Sequence, residues 1–116
     1  MFVNIIIRCR ARHMIISSNR YTVRPEYASE NAARIHEVMA ELRALRRTDI
    51  TYRVFLQDDG KTFVHWRLCA DEEASKVFDH LASFQRFTEA LVASQPEVPP
   101  GKAVRLTLVD ATSDQL

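Results

Sequence analysis

Hydrophobic and polar residues alternate with a period of two in four segments of the chain. Successive side chains of a β-strand point to opposite faces, so this alternation predicts strands. The four predicted strands cover residues 15–23, 50–57, 62–69 and 104–109. Asp59-Gly60 lies between the second and third strands, and glycine tolerates the positive φ of a tight turn, which predicts a hairpin there.

Two other segments have the apolar spacing of amphipathic helices. The first covers residues 26–47 and follows Pro25, which is favoured in the first turn of a helix. Its apolar stripe consists of Ala28, Ala32, Ile35, Met39, Leu42 and Leu45. The second begins at the acidic run 71–73, and its stripe consists of Ala74, Val77, Phe78, Leu81, Phe84, Phe87 and Leu91.

The elements therefore follow the order β-α-β-β-α-β. This order is typical of the ferredoxin-like α+β fold, a four-stranded antiparallel sheet with two helices on one face. We expect a single domain over residues 14–111 and a loose tail over 112–116. Residues 1–13 place arginines after an apolar run, the reverse of a signal peptide. They are interpreted either as an extension upstream of Met14 or as an extra strand.

Alternation also divides each strand into two faces, and we expect the more apolar face to contact the helices. This rule places Asn19 and Tyr21 of the first strand toward the helices. It also predicts which residues of the other three strands face the helices. These are Tyr52, Val54 and Leu56 of the second strand, Val64, Trp66 and Leu68 of the third, and Val104, Leu106 and Leu108 of the fourth. The opposite face would then combine aromatic and basic residues, among them Phe55, Phe63, His65 and Arg67.

Composition indicates one soluble domain. The chain has 116 residues, of which 47% are hydrophobic, and a net charge of +1. This charge favours neither nucleic acid nor a membrane surface as a partner, and no apolar run reaches the length of a membrane span. The two cysteines, Cys9 and Cys69, form no disulfide framework, so a cytoplasmic location is expected.

Motifs that would bind a cofactor are missing from the sequence. With only Gly60 and Gly101, the chain cannot contain a phosphate-binding glycine loop or a dinucleotide fingerprint. Its four histidines lack metal-ligand spacing. The aromatic motif of RNA-recognition domains is absent from the third strand. We therefore expect no cofactor and no metal.

Segments 18–26 (SNRYTVRPE), 63–66 (FVHW) and 78–87 (FDHLASFQRF) together resemble the antibiotic biosynthesis monooxygenase family over about residues 14–110. The resemblance implies a dimeric α/β barrel in which two sheets face each other, and a ligand cavity between sheet and helices. It also implies cofactor-independent oxygenation of aromatic molecules. A haem-degrading branch is disfavoured, because its tryptophan and histidine positions fall near Leu81 and Leu91.

Six residues are the candidates for a site of this kind. Asn19 and Trp66 are the catalytic candidates, the first as a hydrogen-bond donor and the second as a surface for stacking a flat substrate. Tyr21, Tyr52, Leu81 and Phe84 are the candidates for substrate binding. The alternative for Asn19 is a structural hydrogen bond, and that for Trp66 is a place in the core. The roles of His36, His65 and His80 stay open.

Three functions are consistent with these residues. The first is a homodimer, formed through the sheet face, that binds an apolar or aromatic molecule and acts as a cofactor-independent monooxygenase. The second is a non-catalytic ligand-binding or stress-related dimer of the same fold. The third is an isomerase or lyase, for which the sequence offers no general base on the helix-facing strand positions.

Overall fold

The structure is a computed structural model that describes residues 14–113. Four strands are present, β1 (Ile15–Thr22), β2 (Ile50–Leu56), β3 (Thr62–Cys69) and β4 (Val104–Leu106). All four predicted strands exist, although β4 is three residues shorter at its C-terminal end than expected. Residues 1–13 and the last three residues of the predicted tail lie outside the described part, so the predictions made for them are not tested.

The helices follow the predicted order with one change. A 3₁₀ turn (Pro25–Tyr27) leads into α1 (Ala28–Ala44). The second predicted helix is divided into α2 (Glu72–Ser75), a 3₁₀ turn (Lys76–His80) and α3 (Ala82–Ala93). The division falls at Leu81, which is extended with ψ of 116°. No glycine or proline marks this break, and its cause is tertiary.

A carboxylate from α1 stabilises the start of α3. Glu41 Oε1 accepts hydrogen bonds from the backbone N–H of Ser83 at 3.0 Å and from its hydroxyl at 2.5 Å. The first N–H groups of a helix have no partner within the helix, and a carboxylate there also complements the helix dipole. This contact stabilises the first turn of α3, which begins directly after Leu81. The Leu81 side chain itself is buried.

The strands form one antiparallel sheet in the order β2-β3-β1-β4, so the predicted ferredoxin-like fold is confirmed. In β1 and β3, Tyr21 lies opposite Phe63 and Asn19 opposite His65. In β2 and β3, Tyr52 lies opposite Arg67 and Val54 opposite His65. Residues directly opposite each other share a face, so the helix-facing side of β3 carries Phe63, His65 and Arg67.

The face predicted for β3 is therefore wrong. Trp66 points away from the helices and is 44% exposed, whereas His65 points toward them and is 8% exposed. The face predicted for β4 is also wrong, because Val104 and Leu106 lie opposite Ser18 and Ile16 on the outer side. The rule that the more apolar face is internal fails here because large apolar side chains occupy both faces of the sheet.

The core lies between the sheet and the helices. It contains one residue or more from each of β1, β3, α1, α2 and α3, and its fully buried members include Val23, Val38, Cys69 and Phe78. The hairpin between β2 and β3 turns at Gly60, whose φ is +74°. Asp59 stabilises this turn by accepting hydrogen bonds from Lys61 N and Thr62 N. Within residues 14–113, no helix is both long and apolar enough to cross a membrane.

Candidate functional site

A cavity of about 160 Å³ lies between the helix-facing side of the sheet and α3 and is partly open to solvent. Of the described residues that line it, Ala103 is the exposed one, which places the mouth beside the loop before β4. The sheet contributes a polar wall from strands β1, β2 and β3, and α3 contributes an apolar wall. The lining residues that carry the argument below are Asn19, Tyr21, Tyr52, His65, Arg67, Phe84 and Phe87.

A chain of hydrogen bonds leads from the buried Asn31 of helix α1 to this cavity. Asn31 Nδ2 donates to the Tyr21 hydroxyl at 2.8 Å. The Tyr21 hydroxyl lies 2.8 Å from Nε2 of His65, and the Tyr52 hydroxyl lies 2.5 Å from Nδ1 of the same ring. Asn31, Tyr21 and His65 are all buried. Four side chains from four different elements thus form one continuous polar network inside the core.

The donor at Asn31 is compatible with two directions of the chain, because each ring nitrogen of His65 can either donate or accept. Because Tyr21 accepts from Asn31, its own proton is free to be donated to Nε2 of His65. A neutral imidazole carries one N–H, which then resides on Nδ1 and is donated to the Tyr52 oxygen. In this direction the Tyr52 proton remains available, and the network ends in an O–H donor at the cavity wall.

The pKa shifts within the network keep its imidazole and its phenols neutral. Burial lowers the pKa of His65 to about 4, and the nearby charge of Arg67 acts in the same direction. Burial raises the pKa of Tyr52 to about 12 against the opposing charge of Arg67, and burial likewise raises the pKa of Tyr21. At neutral pH the imidazole and both phenols are therefore uncharged, and the network donates hydrogen bonds rather than accepting protons.

Arg67 enters the same cavity from β3. Its Cζ lies 3.6 Å from the centre of the Phe78 ring, 5.4 Å from that of Phe84 and 5.8 Å from that of Tyr52. A guanidinium this close to an aromatic face is attracted by the ring quadrupole. The side chain is partly buried. Its positive charge lies near Tyr52 of the polar wall and near Phe84 of the apolar wall.

Asn19 lies at the mouth of the cavity. Its Nδ2 donates to the backbone carbonyl of Gly101 at 3.3 Å, which fastens the proline-rich loop before β4 to β1. The predicted orientation of Asn19 toward the helices is confirmed, and its amide has a structural partner. The bond is long and solvent-exposed, so the amide can exchange this partner for a ligand at small cost.

The structure brings four of the six predicted residues together. Asn19, Tyr21, Tyr52 and Phe84 all line the cavity. Trp66 does not, because the pairing of β3 turns it to the outer face, where its ring packs edge-on against Phe55 at 5.1 Å.

Leu81 also lies outside the cavity lining. Its side chain is 4% exposed and belongs to the core at the break before α3. Of the two residues predicted as catalytic, only Asn19 is thus in a position to contact a ligand in the cavity.

Four residues of the cavity or the network on which the proposals below rest were not among the candidates from the sequence, namely His65, Arg67, Asn31 and Phe87. A signal for the first two was available. A turn centred on Asp59-Gly60 places Val54 opposite His65 and Tyr52 opposite Arg67, so the helix-facing assignment of β2 implies the same face for both. For Asn31, the signal was a polar residue beside an apolar helical stripe.

Comparison with known proteins identifies other proteins that have this fold. No protein-family model matches the sequence, and no curated protein sequence matches it. Solved structures do match. A protein from Bacteroides thetaiotaomicron named as a candidate antibiotic biosynthesis monooxygenase superposes with a TM-score of 0.75 at 15% identity, covering 89% of this chain and 96% of its own.

Two other solved structures agree with this match. An antibiotic biosynthesis monooxygenase superposes with a TM-score of 0.69 at 15% identity, over 83% of this chain and 99% of its own. A variant of SnoaB, a cofactor-independent oxygenase from Streptomyces nogalater, superposes with a TM-score of 0.59 at 17% identity, over 85% of this chain and 96% of its own. The chain thus has the fold of the antibiotic biosynthesis monooxygenases, and at such identities the likeness concerns the fold alone.

Proposed function

We propose that this protein is a homodimeric, cofactor-independent oxygenase that acts on a small aromatic molecule. The observation that carries the proposal is the Tyr52 hydroxyl, which the buried neutral His65 holds at the polar wall of the cavity, while the α3 wall offers the rings of Phe84 and Phe87. The fold shared with SnoaB, a cofactor-independent oxygenase, supports the same conclusion.

The size of the cavity limits the substrate. A cavity of about 150 Å³ in another protein holds one benzene ring, and the volume here is about 160 Å³. The rings of Phe84 and Phe87 lie 5.8 Å apart on the apolar wall and offer surfaces for a flat ligand. We therefore propose a single substituted ring, such as a quinol, with larger substituents extending through the mouth beside Gly101.

The proposed reaction uses electrons from the substrate. A quinol loses a proton to bulk water, since the described residues that line the cavity include no carboxylate that could act as a base, and the electron-rich anion reacts with dioxygen. One oxygen atom becomes a hydroxyl group on the ring, the other leaves as water, and the product is a hydroxyquinone. The substrate supplies all four electrons, so the reaction is balanced without another reductant. The Tyr52 O–H and the Asn19 amide would stabilise the negative oxygen that develops, which is the way preorganised donors lower a barrier.

The exposed apolar residues on the outer face of the sheet are the basis for proposing a dimer. Four large apolar side chains are exposed there, Phe55 at 45%, Trp66 at 44%, Val104 at 59% and Leu106 at 41%. A cluster of this kind on a soluble domain commonly marks an interface. The face is a sheet surface, so a second copy related by twofold symmetry could cover it with the same residues.

Oxygen uptake with hydroquinone tests the catalytic proposal. We expect uptake above the enzyme-free rate and, with isotopically labelled dioxygen, one labelled atom in the hydroxyquinone. Tyr52→Phe should lower kcat on the order of a hundredfold, as the loss of one oxyanion donor does. Tyr27→Phe is the matched control, because Tyr27 does not line the cavity, and it should retain the wild-type rate.

Two results would contradict the proposal. Uptake no faster than the enzyme-free rate would exclude the oxygenase, and saturable binding of hydroquinone without uptake would favour the non-catalytic ligand-binding dimer. Equal rates for Tyr52→Phe and the wild type would exclude the role assigned to the phenol.

A further inference from the structure

Arg67 differs from the other arginines of the described residues in how its charge is compensated. Four arginines lie 2.7 to 3.8 Å from a carboxylate oxygen, namely Arg34, Arg47, Arg86 and Arg105. Five more have no such partner within 4.0 Å but are exposed to water. Arg67 is partly buried, and no carboxylate of residues 14–113 lies within 4.0 Å of it.

The aromatic contacts of Arg67 and its hydrogen bond to the Tyr52 hydroxyl leave further N–H groups of the guanidinium available. At 3.6 Å from the ring centre, its Cζ lies against the face of Phe78 rather than at the edge of the ring. The N–H groups point outward in the plane of the group, in the fork geometry that matches a carboxylate.

The surroundings of Arg67 in the cavity contain no competing charge. Among the described residues that line it, Arg67 is the one charged side chain, since His65 is neutral at physiological pH. The Tyr52 hydroxyl and the Asn19 amide add neutral donors on the same wall. A partly buried cation surrounded by donors is stabilised by an anionic ligand and would repel a cationic one.

We propose that the ligand of this cavity is an aromatic carboxylate, whose acid group pairs with Arg67 while its ring lies against Phe84 and Phe87. This inference rests on the proposed function, because it names the substrate class of the same cavity. Arg67 is thus assigned as a specificity-determining residue that selects anionic over neutral substrates of equal shape.

The test compares three ligands that differ in charge. Gentisate, a dihydroxybenzoate, carries the carboxylate, gentisamide replaces it with a neutral amide of similar size, and hydroquinone lacks it. Dissociation constants are measured by calorimetry on the full-length protein, and oxygen uptake is followed with each compound. We expect gentisate to bind at least about tenfold more tightly than gentisamide, the difference that one charge-assisted bidentate pair supplies.

Two variants assign this preference to Arg67. Arg67→Met removes the charge and keeps a flexible apolar stem against Phe78, so it should abolish the preference for gentisate over gentisamide. Arg67→Lys keeps a point charge and should retain part of the preference. Arg43→Met is the control, because Arg43 is exposed at the end of α1, and it should retain the full preference. Thermal melts establish that each variant is folded.

The outcomes separate this inference from the oxygenase proposal. A preference for gentisate that Arg67→Met removes supports the inference even if no oxygen is consumed. Equal affinity for gentisate and gentisamide, a preference that survives in Arg67→Met, or no saturable binding of either up to about 5 mM would overturn it. Oxygen uptake with hydroquinone and no preference for the acid would leave the oxygenase standing and exclude the assignment of Arg67.

Discussion

The Tyr52 hydroxyl lies 2.5 Å from Nδ1 of His65, and this contact joins the cavity wall to a buried network that ends at Asn31. The two residues come from neighbouring strands and are not directly opposite each other, since His65 pairs with Val54. Their contact is diagonal across the helix-facing side of the sheet. The orientation of a group that faces the cavity therefore depends on a residue in helix α1.

Removal of the Tyr21 hydroxyl should destabilise the fold. Tyr21→Phe leaves Nδ2 of Asn31 and Nε2 of His65 without their partner inside the core. Unpaired buried polar groups are costly, so we expect a loss of about 2 kcal/mol in the free energy of unfolding, measured by urea denaturation. Tyr27→Phe removes a hydroxyl outside this network and should cost less than about 1 kcal/mol. Equal losses in the two variants would contradict the network.

Stability should depend on pH through His65. Its pKa is about 4 in the folded state against an ordinary value of 6.5, so between these values the unfolded chain binds a proton that the folded chain does not. Unfolding free energy should therefore rise as pH increases from 4 to 6.5, by up to about 3 kcal/mol, and this contribution should then level off.

Two histidine variants separate this contribution from other titrations. His65→Gln should remove the part of the slope between pH 4 and 6.5, measured by urea denaturation at a series of pH values. His36→Gln, at an exposed position of α1, should retain it. An unchanged slope in His65→Gln would show that the imidazole is not kept neutral by the core.

The carboxylate of Glu41 should stabilise the start of α3. Its hydrogen bonds from Ser83 lower the pKa of Glu41 below its ordinary value of 4.5. This stabilisation is present at neutral pH and is lost as the pH falls through the folded-state pKa. Glu41→Gln should lower the urea midpoint at pH 7 more than Glu37→Gln, which removes only an exposed pair with Arg86 at 3.8 Å. Similar shifts would exclude the capping role.

A charge on the outer sheet face should dissociate the proposed dimer. Trp66→Asp places a carboxylate among Phe55, Val104 and Leu106, where it would lose its hydration if a second copy covered the face. We expect a monomer at micromolar concentration by light scattering, against a dimer for the wild type. Val92→Asp is the control, since Val92 is 72% exposed on α3, and it should stay dimeric. A wild-type monomer would exclude the dimer.

Asn19 should affect turnover more than folding. Its bond to Gly101 O is 3.3 Å long and exposed, so Asn19→Ala should cost less than about 1 kcal/mol of stability. Loss of a donor to the reacting anion should lower kcat with hydroquinone by about tenfold or more. Gln85→Ala is a matched control, because its amide donates to Asp79 O at the same 3.3 Å away from the cavity. Parallel losses of stability and turnover would indicate a structural role alone.

The apolar stripes and turn signals of the sequence predicted most of the fold correctly. Both stripes pack into the core except at Leu45, which is 47% exposed, and the Asp59-Gly60 hairpin is present with Gly60 at positive φ. These features depend on local periodicity and turn geometry, which a sequence displays directly. The break at Leu81 was not predictable in this way, because it depends on Glu41, which lies 42 residues from Ser83 in the chain.

The candidate site was only half predictable, and Trp66 and His65 show why. A strand's alternation separates two sets of side chains but does not state which set is internal. Apolarity usually decides, yet β3 has an apolar set that is partly exposed and a set with His65 and Arg67 that faces the core. The pairing registers of the strands decide which set faces the helices. Of these registers, only that of the hairpin between β2 and β3 could be read from the sequence.

The sequence by itself thus determined the order of elements, the hairpin and the helical stripes, because each follows from interactions between near neighbours in the chain. Only the tertiary structure decided that Tyr52, His65 and Arg67 face one cavity while Trp66 lies outside it. The physical reason is that strand pairing and helix packing join residues distant in sequence. A shift of one residue in that pairing would exchange the two faces of a strand.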